Sequence, residues 1–197
     1  MTTYAELLAA AQADPYSADF HALRMAYVRS DQYRPYTQQR GLIAALDTAL
    51  RSSDLDGALQ ATEKLLHTNY LDIEAHMAAA YVYTMRENIE RAAYHHAFAK
   101  GLIEAILNTG TGREPDSAFI VIDIPEEYTI MRIVGLEPGR QSLIDYQGRR
   151  VDMFEVRPLH APDGTPPFKI YFNIDLPYAW LNRRMDAHEA ASKDETP

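Results

Sequence analysis

The sequence predicts an α+β fold, with tetratricopeptide-like antiparallel helix hairpins in the N-terminal half packed on a C-terminal antiparallel sheet of about five strands. Two observations carry that expectation. Apolar residues recur at three-to-four spacing as far as Leu107, and β-branched and aromatic runs replace them after the turn-forming stretch NTGTGREPDS. A third is scale: 197 residues, 47% hydrophobic and 24% charged, suffice to bury a core as one large or two small domains.

The first helix is expected over about residues 3–13, with Tyr4, Leu7, Leu8 and Ala11 on one face. Asp14-Pro15 ends it, because a residue before proline avoids the helical region. Ser17 or Asp19 then caps a helix presenting Phe20, Leu23 and Tyr27 together, and SDQYRPYT reads as a loop. From Gln38 a repeat emerges. Ala58 and Ala92 stand 34 residues apart, as do Leu65 and Ala99, which is the period of a tetratricopeptide hairpin. Two such hairpins are expected, over about residues 38–67 and 72–107, with Ala80 facing Ala92. Arrays of this kind usually need about three repeats, so the preceding helices and the following sheet must cap these two.

Past the turn-rich stretch, AFIVIDI, EYTIMRIVGL, QSLIDYQ, RVDMFEVRPL and FKIYFNI read as strands, with turns at Gln147-Gly148 and Asp163-Gly164. The organisation is then a helical region over 1–107, a sheet region over 118–185 and a disordered tail over 186–197. No long flexible linker borders either half, so one cooperative unit is expected.

Composition removes several functions. A net charge of -9 and a pI near 5.2 argue against nucleic acid and favour a basic partner. The absence of cysteine eliminates disulfides, thiolate catalysis and cysteine-ligated zinc. No apolar run reaches the length of a membrane span. The opening MTTYAELLAAAQADP lacks the basic and apolar parts of a signal peptide, so a cytoplasmic location is expected, or a periplasmic one if a leader has been removed. Gly110 and Gly112 follow a helix and lack the lysine of a phosphate loop, and no serine elbow is present. No cofactor is expected.

Four ordered segments are similar to a known family. DFHALRMAYVRSDQYRPY, NYLDIEAH, NTGTGREPDSAFIVI followed by EEY, and FKIYFNIDLPYAWLNRR occur in the order seen in DUF4919, a bacterial domain of unknown function. The resemblance spans about residues 19–184 and implies no particular reaction or ligand. Export signals seen in many relatives are missing here, and TGTG replaces an SGDG-like loop, so it gives that loop no acidic ligand role.

Four groups of side chains could carry function. His96, four residues after Ala92, is expected on the packed face opposite His76, with His95 more exposed. His76 and His96 would then form either a metal-holding pair or a hydrogen-bonded core pair. Arg24 could recognise an anion or tie helices together as a buried salt bridge. Asp123, Glu126 and Glu127 surround Pro125; adjacent strand residues point to opposite faces, so a solvated charged turn is the reading for the two glutamates. Asn173 and Asp175 share a face of the last strand, near the single tryptophan, Trp180.

The leading expectation is a non-catalytic protein-interaction domain, in the manner of an inhibitor or immunity protein. It would use Arg24 and exposed tyrosines at Tyr27, Tyr33, Tyr36, Tyr70 and Tyr83, among 13 in the chain. One alternative is a hydrolase with His95 or His76 as base and Glu127 or Asp175 as partner, in a cleft between helices and sheet. Another is a small-ligand or metal sensor built on the histidines. A protein partner is expected, without nucleic acid.

Overall fold

In the computed structural model, residues 2–36 and 39–194 are described, with side chains as far as Asp186. The expected start of the repeat at Gln38 lies outside them. The fold is α+β, and the chain divides into two compact units. One comprises Met1–Tyr33 and Thr37–Ala105; the other comprises Arg34–Tyr36 and Ile106–Pro197.

The first unit is helical, and its boundaries follow from capping chemistry. Helix α1 (Tyr4–Ala13) opens on a reciprocal box in which Thr3 Oγ1 accepts from the Glu6 amide and Glu6 reaches back to the Thr3 amide. Asp19, Asp54 and Asp72 then cap α2 (Phe20–Val28), α4 (Leu55–Thr68) and α5 (Ile73–Met85), each accepting from the amide three residues on. Helices α3 (Arg40–Arg51) and α4 form the first expected hairpin. Helices α5 and α6 (Ile89–Leu107) form the second.

Burial follows the helical period. Leu46, Ala49, Ala58, Ala61, Leu65, Leu66, Ala75 and Val82 make one cluster across α3, α4 and α5. On α6, Phe98 and Leu102 are fully buried at spacings of one helical face. Each such side chain contributes about 1.5–3 kcal/mol relative to exposure.

The second unit holds a four-stranded mixed sheet, of order β1-β4-β3-β2, among the described residues. Its strands are β1 (Phe119–Ile120), β2 (Leu136–Tyr146), β3 (Arg149–Pro158) and β4 (Phe168–Asn173). Two expectations are corrected here. The sheet is not wholly antiparallel, because β1 runs parallel to β4, with Phe119 opposite Phe172. A fifth strand does not form from EYTIMRI, which instead lies in helix α7 (Pro125–Ile133).

The reason for α7 is end chemistry. Pro125 occupies the first turn, where its missing amide costs nothing, and Asp123 Oδ1 accepts from the Glu126 amide. Glu126 and Glu127 then stand at the positive end of the helix dipole and Arg132 at the negative end.

The predicted turn at Gln147-Gly148 joins β2 to β3. Both residues are left-handed, φ 52 and 78, as a two-residue type I′ connection requires. Strand β2 is an edge strand, and its register with β3 shifts between Pro138 and Gln141. The turn-rich segment after α6 is knitted onto the sheet: Thr111 and Gly112 amides donate to Ser117 O, and Gly112 O accepts from the Tyr171 amide. Gly112 has φ 64, and a Cβ there would run into the Phe119 ring. Helix α8 (Asp175–Asp194) continues through most of the stretch expected as a disordered tail; residues 195–197 lie outside the described part.

Candidate functional site

The first unit contains a cleft of about 510 Å³, lined by side chains from α1, α2, α4, α5 and α6. Its floor includes Tyr4, Tyr27 and Tyr83, with Tyr70 and His95 at one side; Gln12, Gln32, Glu63, Asn69 and Arg91 add polar groups.

His95 is held from behind. Its Nδ1 lies 3.0 Å from Nδ1 of His76, and His76 Nε2 lies 2.9 Å from the carbonyl oxygen of Tyr70. His76 is fully buried, stacked on Phe98 at 4.3 Å between ring centroids. Across the cleft side, Tyr83 stacks on His95 with planes 13° apart, and Arg91 lies 5.3 Å over the Tyr83 ring while donating to its hydroxyl at 2.7 Å. The Tyr70 and Tyr94 hydroxyls share a hydrogen bond of 2.8 Å.

Burial governs the charge state of this pair. It depresses the pKa of His76 to about 3, with the neighbouring His95 adding a smaller push. It depresses His95 to about 4, helped by the Arg91 charge. Both rings are therefore neutral at pH 7.

The histidine expectation is corrected. His95, not His96, faces His76, and His96 is exposed, bordering an apolar groove on the other side of the α5–α6 hairpin with Ala80 and Ala92. The proposed His76–His96 metal pair is therefore not formed. The sequence did contain the signal: His95 precedes Phe98 by three residues and Leu102 by seven, the stripe that is buried.

The tyrosine expectation also changes. Tyr27, Tyr33 and Tyr83 are buried rather than exposed, while Tyr36 and Tyr70 are half-buried. Tyr27 packs against Tyr4 and Tyr33, with centroids 5.1 and 5.4 Å away. Tyr4, Tyr27, Tyr33 and Tyr83 are buried in the helical unit, and Tyr4, Tyr27, Tyr70 and Tyr83 border the cleft, whereas Tyr36 belongs to the second unit. Arg24 is fully buried in α2, out of reach of a surface anion.

The second unit gathers carboxyl groups. Glu126 and Glu127 are buried, not solvated, because on a helix adjacent residues can both meet a core. Glu126 accepts from the Ile122 amide at 2.8 Å. The Glu127 carboxyl lies against Asp152, to which it can donate a hydrogen bond only when it is protonated. Burial first, then the adjacent Asp152 carboxylate, pushes its pKa up to about 9, so it is a neutral acid at pH 7. Asp152, on β3, accepts from Gln141 Nε2 at 2.8 Å and is itself raised by burial.

Asp175 is occupied otherwise: its Oδ1 accepts from the Arg150 amide at 2.7 Å, joining the start of α8 to β3. Trp180 lies near Tyr36, centroids 6.0 Å apart, with the Arg184 guanidinium over its ring. Of the hydrolase candidates, His76 and His95 belong to the first unit, and Glu127 and Asp175 to the second.

Against known proteins, one family model, described as a domain of unknown function (DUF4919), matches residues 4–180. The chain belongs to the DUF4919 family. No match emerges among curated proteins or among solved structures. Among the described residues of this DUF4919 chain, no group of three or more His, Asp or Glu side chains is arranged to hold a metal ion. No described helix is long and apolar enough to cross a membrane. What sequence reasoning missed in this DUF4919 member is Asp152, which lies inside a strand-like run and becomes notable through its spatial neighbour Glu127.

Proposed function

We propose that this DUF4919 chain is a non-catalytic binding protein whose helical unit receives a segment of a partner protein in the His95 cleft. The observation that carries this reading is the cleft itself: an open space of about 510 Å³ whose wall combines aromatic edges with amide, carboxylate and guanidinium groups. Concave faces of helix-hairpin arrays are suited to such segments. A chain of net charge -9 favours a partner with basic character, in the manner of an inhibitor or immunity protein.

The test uses affinity capture from the native bacterium with the full chain and with a Glu63→Arg, Thr68→Arg variant. Both positions are exposed on the cleft wall, so the melting temperature should be unchanged while the captured partner is lost. Equal capture by variant and parent would remove the cleft from the reading.

One observation favours a second reading, a hydrolase. A neutral Glu127 beside Asp152 resembles acid–carboxylate pairs used in general acid catalysis. Full burial of Glu127 counts against it, since a general acid must reach its substrate. Loss of cellular function on Glu127→Gln, with partner capture intact, would favour the hydrolase.

A further inference from the structure

Proton placement along the histidine pair is settled by its far end. The Tyr70 carbonyl oxygen can only accept, so the His76 Nε2 facing it at 2.9 Å carries the proton. His76 is fully buried, and a second proton would leave an imidazolium inside the core, so its Nδ1 is a lone pair. That lone pair faces His95 Nδ1 at 3.0 Å, which must then be the N–H donor. A neutral His95 with its proton on Nδ1 has a bare Nε2, and His95 lines the cleft.

We infer that His95 Nε2 is a fixed hydrogen-bond acceptor in the cleft, so that the occupant presents a neutral O–H or N–H donor there, with His76 as the residue that fixes the tautomer. This inference rests on the cleft reading above and names the chemistry of the group received. The ring's orientation is held as well as its proton. Tyr83 stacks on it, and the hydrogen bond to His76 fixes its rotation. A carboxylate or other pure acceptor meets repulsion at Nε2. A hydroxyl or amide N–H meets a partner already aligned, which lowers the ordering cost of binding. A backbone or side-chain N–H of a protein segment and the hydroxyl of a small molecule share this chemistry.

The experiment begins with the native full chain. Long-range nitrogen–proton correlation spectra of histidine-labelled protein at pH 7 report the tautomer of each ring. His95 is assigned from the signals lost in His95→Gln. The expected result is His95 protonated on Nδ1 and His76 on Nε2. A His95 ring protonated on Nε2, or on both nitrogens, overturns the inference and leaves the cleft reading standing.

Paired probes then test the donor requirement. Phenol against anisole, and N-methylacetamide against N,N-dimethylacetamide, differ in each case by one hydrogen-bond donor. The donor-bearing member of at least one pair should shift His95 Nε2 and bind roughly tenfold more tightly than its methylated counterpart. Preference in the amide pair identifies a peptide-like source, and preference in the phenol pair a hydroxyl source. Equal binding within both pairs, or no response at His95, overturns the inference, whereas the cleft reading is scored separately by the capture experiment. In His76→Phe the acceptor behind His95 is gone, so His95 should revert to a proton on Nε2 and the preference should disappear. A His76→Phe protein that folds and keeps both the tautomer and the preference would remove His76 from its positioning role.

Discussion

Glu127 shows what one buried ionisable group does to stability. Its folded-state pKa of about 9 lies above the unfolded value of 4.5. The contribution is therefore complete below about pH 4.5 and is lost as pH rises toward 9, at up to about 1.4 kcal/mol per pH unit. Glu127→Gln keeps the shape and neutrality, so it should match the parent near pH 4.5, flatten the alkaline loss, and exceed the parent by roughly 3 kcal/mol at pH 7. Glu127→Ala should cost about 2–4 kcal/mol at pH 4.5 through the cavity it leaves, and its profile should be as flat toward alkali as that of the glutamine variant. Urea unfolding across pH checks both; an alkaline slope unchanged in Glu127→Gln would show that the acid is not held neutral. Of the two candidate sites, the sequence exposed the residues but not their pairing. His95 and His96 differ by one step of about 100° around α6, and the choice between them depends on the buried stripe through Phe98. Glu127 was visible beside Pro125, but its partner Asp152 is 25 residues away and is brought near by the fold.

Elements were legible where their ends were. Asp19, Asp54 and Asp72 each mark a helix start, and both hairpins fall where the 34-residue spacing puts them. Helix α7 was misread because Thr129, Ile130 and Ile133 suggest a strand, although Pro125, Glu126, Glu127 and Arg132 already marked a helix's ends. Strand β1 was recognised, but its parallel pairing with β4 joins Phe119 to Phe172 and leaves no local trace. The Gln147-Gly148 turn supplies a prediction at this scale. Gln147 holds φ 52, a conformation asparagine tolerates better. Gln147→Asn should raise stability by a few tenths to about 1 kcal/mol. Gly148→Val, at φ 78, should lower it by about 1–3 kcal/mol. Thermal melts of the two variants check the opposite signs; a shift in the same direction would mean the turn does not limit the sheet.

Across the molecule, the two units carry opposed responses to pH. In the first, His76 and His95 have folded pKa values of about 3 and 4, below the unfolded 6.5, so their contribution is complete above about pH 6.5 and is lost as pH falls through the folded values. In the second, Glu127 loses its contribution as pH rises. Trp180 belongs to the second unit and gives it a private fluorescence signal, whereas far-ultraviolet dichroism weights the helical unit. Acid should lower the dichroism melting temperature more than the fluorescence one, and alkali should do the reverse. Coincident transitions at every pH would instead bear out the cooperative unit expected from the short border between the halves.

The register shift in β2 has a consequence for assembly. An edge strand of eleven residues exposes a ladder of unpaired amides and carbonyls that another chain could extend into a fibre. Pro138 removes one donor from that ladder, and the shift before Gln141 bends the remainder of the strand. Deleting Gly139 and replacing Pro138 by threonine would give a straight, fully donating edge. That variant should show concentration-dependent light scattering and thioflavin binding under conditions where the parent shows neither. Should it stay as dispersed as the parent, the bulge is not what guards this edge against polymerisation.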